Sequence, residues 1–241
     1  LAHVEAGLRS FNMKMPEEVN RILTDRVSTV LLCPTQTAVD NLEKEGYDAL
    51  DIKIEITGDV MLDASNLFVK HARKPAIPLP DTFILCTIHR AENTDDPAKL
   101  SEIVNALNEI ALQTPIVLPL HPRTKNYLSK YNISVGEGVY LIDPVGYLEM
   151  IYLLQQCIMV FTDSGGLQKE AYFFKKFCVT LREETEWVEL LKQGVNTLAG
   201  SDYIKIVAGY KKALSSTADF NVALYGDGDA SDMIVESVLA F

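Results

Sequence analysis

The chain has 241 residues, of which 48% are hydrophobic and 23% charged, and its net charge is -11. This acidic balance excludes an extended nucleic-acid groove, which needs a basic surface, so any phosphate must be bound locally. No apolar run approaches the ~20 residues that cross a membrane, and the length suits one large domain or two small ones.

The predicted elements alternate between strands and helices along most of the chain. Before the proline-rich segment 74–80, the best candidate for a linker, the strands are 30–33 and 52–56 and the helices begin near residues 19, 35 and 60. After it, the strands are 83–88, 115–120, 139–142, 158–161, 178–181 and 196–198, and the helices are 97–112, 123–130, 147–155, 166–174, 187–193, 202–214 and 230–239. Thr35 is the predicted N-cap of the second helix and Gly46 its C′ residue. This alternation predicts a doubly wound parallel α/β sheet.

The four cysteines show neither a Cys-x-x-Cys pair nor any metal-ligand spacing. Cys86 and Cys157 lie within apolar, strand-like runs, so we expect them to be buried free thiols. Free thiols are typical of a reducing compartment, and we therefore expect the protein in the cytoplasm.

Polar residues follow four of the predicted strands at the point where each strand ends. They are His89-Arg90, His121, the turn Ser164-Gly165-Gly166, and Arg182. Because ligands of doubly wound sheets bind at the carboxyl ends of strands, we expect these residues to converge on one crevice. A phosphate contact is favoured for His89 over a structural role, and the reverse holds for His121.

The turn at Ser164-Gly165-Gly166 joins a buried strand to the beginning of a helix. Such a helix N-terminus offers unpaired N–H groups and partial positive charge to a phosphate, and the glycines let the backbone approach it. Glu170 falls about two turns into this helix, where it is expected to reach a ribose diol. The alternative is an ordinary strand–helix turn with no ligand.

Carboxylates also stand out near the beginning of the chain. Glu5 precedes a glycine turn at Gly7, and Glu17 and Glu18 directly follow Pro16 at a predicted helix start. For Glu17 and Glu18 the simplest explanation is complementation of the helix dipole in a first turn. Acid/base chemistry is the alternative, which the residues alone do not decide.

Taken together, the motifs resemble the non-hydrolysing UDP-N-acetylglucosamine 2-epimerases. The matching stretches are His-Val-Glu-Ala-Gly-Leu-Arg at 3–9, Pro-Glu-Glu-Val-Asn-Arg at 16–21, Thr-Gly-Asp-Val-Met-Leu-Asp at 57–63, His-Arg-Ala-Glu-Asn at 89–93, Thr-Asp-Ser-Gly-Gly-Leu-Gln-Lys-Glu-Ala at 162–171 and Tyr-Gly-Asp-Gly-Asp-Ala-Ser at 225–231. They occur in the family's order and cover the chain from end to end.

The resemblance implies a glycosyltransferase-B-like architecture of two Rossmann-like domains with the active site between them. Residues 1–72 would be the remainder of the N-terminal domain, 73–225 the UDP-binding C-terminal domain, and 226–241 a helix that packs back on the N-terminal domain. Family motifs expected before residue 1 are absent from the sequence, so we expect a fragment that binds UDP weakly and is inactive alone.

The resemblance also implies a reaction and roles for the residues. The family interconverts UDP-N-acetylglucosamine and UDP-N-acetylmannosamine by eliminating UDP, which leaves 2-acetamidoglucal, and adding it back, with no cofactor and no metal. Glu5 and Glu17 match its acid/base carboxylates in undetermined order, and His89 matches the histidine against the diphosphate. The substrate-binding positions are Arg90, Ser164, Gly165, Gly166 and Glu170, to which we add Arg182 as a cation at the crevice.

Two departures from the family pattern bear, respectively, on regulation by a second UDP-sugar site, which the first puts in doubt, and on the substrate. Ala91 stands where the family commonly has a second arginine, and residues 11–15 and 184–189 look closer to relatives that act on UDP-2,3-diacetamido-2,3-dideoxy-glucuronate. That sugar is the alternative substrate; a UDP-sugar glycosyltransferase or a non-catalytic UDP-binding domain is the alternative function. The expected partners are the UDP-sugar and a second copy in a homodimer used in polysaccharide biosynthesis, with neither nucleic acid nor membrane.

Overall fold

The computed structural model describes residues 1–240, which fall into two compact units. Unit 1 comprises Leu1–Leu67 and the residues from Asn221 onward, and unit 2 comprises Phe68–Phe220. The last helix of the chain therefore belongs to the same unit as its first residues. Within residues 1–240, no helix is long and apolar enough to cross a membrane.

All strands of the described residues are parallel and lie in two sheets. In chain order they are β1 (Ala2–Val4), β2 (Val30–Cys33), β3 (Lys53–Ile56), β4 (Ile84–Thr87), β5 (Ile116–Pro119), β6 (Val139–Ile142), β7 (Met159–Thr162), β8 (Phe177–Thr180) and β9 (Asn196–Leu198). The helices are α1 (Pro16–Val27), α2 (Gln36–Lys44), α3 (Val60–Phe68), α4 (Ala91–Thr94), α5 (Pro97–Ala111), α6 (Pro122–Tyr131), α7 (Tyr147–Gln156), α8 (Gly165–Phe173), α9 (Val188–Lys192), α10 (Tyr203–Leu214) and α11 (Ala230–Leu239). The predicted doubly wound α/β class is confirmed.

Unit 1 is built on a three-stranded parallel sheet in the order β1-β2-β3. The hydroxyl of Thr35 accepts a hydrogen bond from the Ala38 N–H at 3.3 Å, and Gly46 has a φ of 79°. The predicted N-cap and C′ residue of α2 are thus confirmed. Strand β1 was not predicted, because three residues with an exposed first and last position carry no apolar period.

The N-terminus of α11 is capped by a side chain from α3. The Asp63 carboxylate accepts hydrogen bonds from the Ala230 N–H at 3.2 Å, from the Ser231 N–H at 2.7 Å and from the Ser231 hydroxyl. The helix's own N-cap residue, Asp229, makes no such side-chain bond. Two distant motifs of the sequence, at 57–63 and 225–231, are therefore parts of one capping arrangement.

Unit 2 is a six-stranded parallel sheet in the order β6-β5-β4-β7-β8-β9. Side chains of the β4 segment alternate between two cores: Ile84 and Cys86 pack toward α5 and α10, and Phe83 and Leu85 pack toward α7 and α8. Burial on both faces explains why these strands are continuous apolar runs. The strand order reverses between β4 and β7, and such a switch point is where ligands of this fold bind.

All four cysteines are free and buried, as the apolar runs around Cys86 and Cys157 predicted. Burial raises the pKa of the Cys33, Cys157 and Cys178 thiols to about 12. Burial also raises the pKa of the Cys86 thiol, which is fully enclosed. At neutral pH these thiols are protonated and contribute to packing.

Candidate functional site

A cavity of about 450 Å³ opens at the switch point of unit 2, beyond the carboxyl ends of β4, β5 and β7. It is lined by Thr87, Ile88, His89, Pro119, His121, Pro144, Val145, Met150, Ser164, Leu167 and Glu170. Three of the four strand ends expected to converge do so, since His89, His121 and Ser164 all line this cavity. Its size is that of a typical small-ligand site.

The polar wall of the cavity is formed by the N-terminus of α8. Ser164 is its N-cap, and the Ser164 hydroxyl accepts a hydrogen bond from the Leu167 N–H at 3.5 Å. Gly165 and Gly166 are the first two helical residues, so their N–H groups have no acceptor within the helix. This is the arrangement that binds anions at helix N-termini.

Glu170 lies further along α8 and lines the same cavity. Its residue exposure is 6%, and its Oε1 atom has no hydrogen-bond partner among the described residues. Burial raises the pKa of this carboxyl group, and a hydrogen bond with Tyr147 partly opposes the shift. An unsatisfied buried acceptor is costly in a protein unless a ligand supplies the donor.

His89 and Arg90 follow β4 at the opposite side of the turn. The His89 Nδ1 atom lies 3.1 Å from Asp163 Oδ1, and its ring centroid lies 5.9 Å from that of His121. The His89 side chain is 39% exposed. The Arg90 side chain is half-buried and makes no hydrogen bond or ion pair among residues 1–240, although its backbone N–H donates to Asp163.

Arg182 lies behind the turn and does not line the cavity. It is 3% exposed, and its guanidinium pairs with Glu186 at 3.0 Å. A Cβ atom on Gly165 would come 3.8 Å from Arg182 NH1, so the cation is close to the turn although it is already paired. A direct contact between Arg182 and a phosphate stays a prediction.

The paired glutamates of unit 1 have different environments. Glu18 is buried and accepts hydrogen bonds from the Ser10 N–H at 2.9 Å and the Phe11 N–H at 2.8 Å. Glu17 is exposed and makes no hydrogen bond or ion pair within the described part of the chain. The structure therefore assigns anchoring to Glu18 and leaves Glu17 available to a ligand.

Glu5 directly follows β1 in an unusual backbone conformation. Its φ is 68°, in the left-handed region that non-glycine residues adopt rarely and mostly under constraint. Gly7, with a φ of 75°, is required two residues later, because a Cβ there would lie 2.4 Å from the Ala38 carbonyl oxygen. The backbone from Glu5 to Gly7 is therefore tightly specified.

Asp163 is the residue of this site that the sequence analysis did not single out. It is 0% exposed and ties the segment after β4 to the turn after β7. An acidic residue placed directly after four consecutive buried strand residues was the available signal. Buried carboxylates need several donors, so such a position predicts an anchoring role.

These features define a doubly wound α/β protein with an anion-type turn at a topological switch point. A family model described as UDP-N-acetylglucosamine 2-epimerase matches residues 1–239. The chain belongs to this family of nucleotide-sugar isomerases, and its structural relatives share the glycosyltransferase-B-like fold.

Individual relatives differ in the substrate that they are named for. The chain is 53% identical to the UDP-2,3-diacetamido-2,3-dideoxy-D-glucuronate 2-epimerase of Pseudomonas aeruginosa, over 98% of this chain and 67% of that protein. It is 37% identical to the UDP-N-acetylglucosamine 2-epimerase of Methanocaldococcus jannaschii, over 98% of this chain and 67% of that protein.

Solved structures agree with the fold. The Methanocaldococcus jannaschii epimerase in complex with UDP-GlcNAc and UDP matches with a TM-score of 0.90 over 100% of this chain and 69% of that one, at 37% identity. The Neisseria meningitidis enzyme bound to UDP-GlcNAc matches with a TM-score of 0.87 at 30% identity, over 100% of this chain and 70% of that one.

Proposed function

We propose that this protein is a 2-epimerase of UDP-linked 2-acetamido sugars and that the cavity of unit 2 holds UDP. The observation that carries the proposal is the position of Glu170, a buried carboxylate whose Oε1 lacks a partner within residues 1–240, on the same helix as the anion-type turn. Neighbouring sites for a vicinal diol and for phosphates suit a ribose diphosphate.

The diphosphate is assigned to the N-terminus of α8. The N–H groups of Gly165 and Gly166 and the helix dipole attract its negative charge, and the Ser164 hydroxyl has a hydrogen to donate. His89 faces the turn from the end of β4 and adds a ring nitrogen. In an acidic chain, this local set of donors replaces a basic surface.

The nucleoside is assigned to the remaining walls of the cavity. Glu170 accepts hydrogen bonds from the ribose hydroxyls, which satisfies its Oε1 atom. Pro144, Val145 and Met150 provide an apolar wall against which a planar base is desolvated. This division into a polar and an apolar part is typical of small-molecule sites.

The chemistry requires an acid and a base on opposite faces of C2. One carboxylate removes the C2 proton while the C1–O bond to UDP breaks, giving 2-acetamidoglucal and UDP. UDP then re-forms the C1–O bond while the other group delivers a proton to the opposite face. We propose Glu5 and Glu17 for these roles, supported by the constrained backbone of Glu5 and the uncommitted side chain of Glu17.

Two sugars are candidate substrates within this class. The 53% identity to the Pseudomonas aeruginosa enzyme favours UDP-2,3-diacetamido-2,3-dideoxy-glucuronate, against 37–46% for relatives named for UDP-N-acetylglucosamine in Methanococcus maripaludis and Methanocaldococcus jannaschii. Initial rates with both substrates decide between them: a kcat/KM ratio above about tenfold corresponds to ~1.4 kcal/mol of discrimination.

We further propose a cytoplasmic homodimer that supplies polysaccharide synthesis; the free cysteines support the compartment.

The first test is calorimetric titration of the protein with UDP. A Ser164→Ala, Glu170→Ala double variant is expected to lose the binding, and Glu102→Gln, an exposed charge change on α5, is expected to keep it. Unchanged binding in the double variant contradicts the assignment of the cavity.

The second test concerns the reaction itself. In the active enzyme, turnover in D₂O is expected to place deuterium at C2 of the product, and an ¹⁸O label in the C1–O–P bridge is expected to exchange into non-bridging phosphate positions. Inversion without either exchange contradicts elimination and re-addition.

A further inference from the structure

Asp163 is a fully buried carboxylate at the junction of the two segments that face the cavity. Its Oδ2 atom accepts hydrogen bonds from the backbone N–H groups of His89 and Arg90, both at 3.0 Å, and from the Asn93 side-chain amide at 3.1 Å. These three bonds fix the path of the chain after β4.

The second oxygen of Asp163 contacts the His89 ring. Oδ1 lies 3.1 Å from His89 Nδ1 and also accepts from the His89 N–H at 3.2 Å. Because an ionised carboxylate only accepts hydrogen bonds, this close approach favours a hydrogen on Nδ1. The other ring nitrogen, Nε2, is then the atom available to a ligand in the cavity.

No lysine or arginine pairs with Asp163 among the residues that the structure describes, and its other partners are neutral N–H groups. The ionisable groups that contact the His89 ring include Asp163 itself and His121, on the segment after β5, and Glu170 lines the same cavity. Within residues 1–240, the ionisable partner of Asp163 is therefore His89, which is part of the cavity wall.

We propose that Asp163 is a positioning residue for the reaction: it holds a hydrogen on His89 Nδ1 and orients the ring so that Nε2 faces the diphosphate, where a hydrogen on Nε2 makes the ring a cation. The inference rests on the proposed function, because it assumes that His89 contacts UDP. The same logic operates wherever the hydrogen bond of one ring nitrogen determines what the other can do.

The variant Asp163→Asn separates this role from simple anchoring. Its amide oxygen can occupy the Oδ2 position and keep all three bonds to the backbone and Asn93, while its NH₂ group replaces Oδ1. His89 Nδ1 must then accept, which moves the hydrogen to Nε2. We expect UDP affinity to fall about tenfold, because a neutral Nε2–H then replaces the charge-assisted hydrogen bond from a ring with hydrogens on both nitrogens.

The experiment combines ¹⁵N-histidine spectra with UDP titration of the folded protein. In the wild type, the His89 signals, assigned with His89→Gln, are expected to show a hydrogen on Nδ1; this reading needs no variant at position 163. In Asp163→Asn they are expected to show the hydrogen on Nε2 only. Asn93→Ser is the structural control: it removes a bond to Asp163 Oδ2 without touching the ring, so the tautomer should stay and UDP affinity should change less than twofold.

A double-mutant cycle completes the test. In the His89→Gln background, Asp163→Asn is expected to cause no further loss of UDP affinity, because Asp163 acts through the ring. A wild-type ring without a hydrogen on Nδ1, an unchanged tautomer in Asp163→Asn, or an additive loss overturns the inference. A wild type that fails to bind UDP overturns the proposed function instead, and the ring spectra still test the tautomer.

Discussion

The two units each contain a fully buried aspartate that fastens the loop after a parallel strand, and they differ in how its charge is compensated. In unit 1, Asp25 bonds to His3 Nδ1 at 2.6 Å, to the Gly7 N–H at 3.2 Å and to Arg9 NH1 at 2.7 Å. In unit 2, the partners of Asp163 among the described residues are neutral N–H groups and, at 3.1 Å from its Oδ1, the half-exposed ring of His89.

In unit 1 the charge of the buried aspartate is compensated by a buried arginine. The buried Arg9 guanidinium bonds to Asp25 and, through Nε and NH2, to Glu45 at 2.7 and 2.8 Å. Although burial by itself lowers the pKa of Arg9, the hydrogen bonds to Glu45 and Asp25 raise it above its usual value. This network holds the loop that carries Glu5, and its buried members Asp25 and Arg9 are paired with each other.

In unit 2, by contrast, the buried carboxylates beside the cavity have no compensating cation bonded to them among the described residues. Asp163 and Glu170 are both buried without a permanent cation in hydrogen-bond contact, and Glu170 Oε1 lacks a hydrogen-bond partner within the described chain. Buried carboxylates without a compensating cation are typical of functional sites, whereas fully paired charges are typical of structural networks. The difference separates the carboxylates that shape a loop from those that meet a ligand.

The largest expected effect is at the anchor of unit 1. Asp25→Ala removes the acceptor for three residues of the loop and leaves Arg9 buried with Glu45 alone, so we expect a loss of about 3–5 kcal/mol in the free energy of unfolding. Urea denaturation measures it. Glu45→Ala, whose side chain is 31% exposed, should cost less than half as much; equal losses would show that the burial of Asp25 is not what matters.

The adjacent glutamates of α1 should likewise differ in how much their substitution changes stability. Glu18→Ala leaves the Ser10 and Phe11 N–H groups without their acceptor, and a loss of about 2 kcal/mol is expected. Glu17→Ala should change stability by less than about 0.5 kcal/mol, as exposed surface positions do, while abolishing C2 proton exchange in the active enzyme. Thermal melts and the D₂O assay on both variants check this; a destabilised Glu17 variant would place it among the anchors.

A smaller effect is expected at the cap of α11. Asp63→Ala removes its hydrogen bonds to Ala230 and Ser231 and should cost about 1 kcal/mol, the usual value of an N-cap. Asp229→Ala is the matched control, since it sits at the N-cap position without a capping bond. The midpoints of denaturation of the two variants give the comparison, and equal midpoints would refute the cap from α3.

An effect of similar size but opposite sign is expected at Glu170. Burial raises the pKa of Glu170 above its ordinary value of 4.5. Between 4.5 and the raised pKa, the folded state binds more protons than the unfolded state. The free energy of unfolding therefore falls as the pH rises through this range. Glu170→Gln should therefore raise Tm at neutral pH by a few degrees, about 1 kcal/mol, with the gain vanishing below pH ~4. The variant should also lose UDP binding; a lower Tm at pH 7 would contradict the burial cost.

The elements of the site were predictable because they depend on local pattern. Apolar runs located β4, β5 and β7, and fold rules placed their ends together, which brought His89, His121 and Ser164 to one cavity. The anchors were not predictable in this way. Asp163 meets His89 across 74 residues and Asp63 meets Ser231 across 168, and no periodicity in the sequence reports such pairings.

The surroundings of a charge were equally invisible in the sequence. Arg182 was expected to supply a cation to the crevice, but Glu186, four residues later, pairs with it inside the protein. Likewise Glu17 and Glu18 are adjacent and chemically identical, and only packing makes one an anchor and leaves the other exposed. Residue type and strand position indicate where a site lies, and burial decides which members are free to act.

The enclosed cysteines give the molecule a built-in reporter of its own opening. Only the thiolate reacts rapidly with alkylating reagents, and thiols with a pKa of about 12 that are shielded from solvent must first be exposed. Cys33 is the single cysteine of unit 1, whereas Cys86, Cys157 and Cys178 all lie in unit 2. The rates at which reagent labels these positions thus record, separately and without any added probe, how often each half of the protein comes apart.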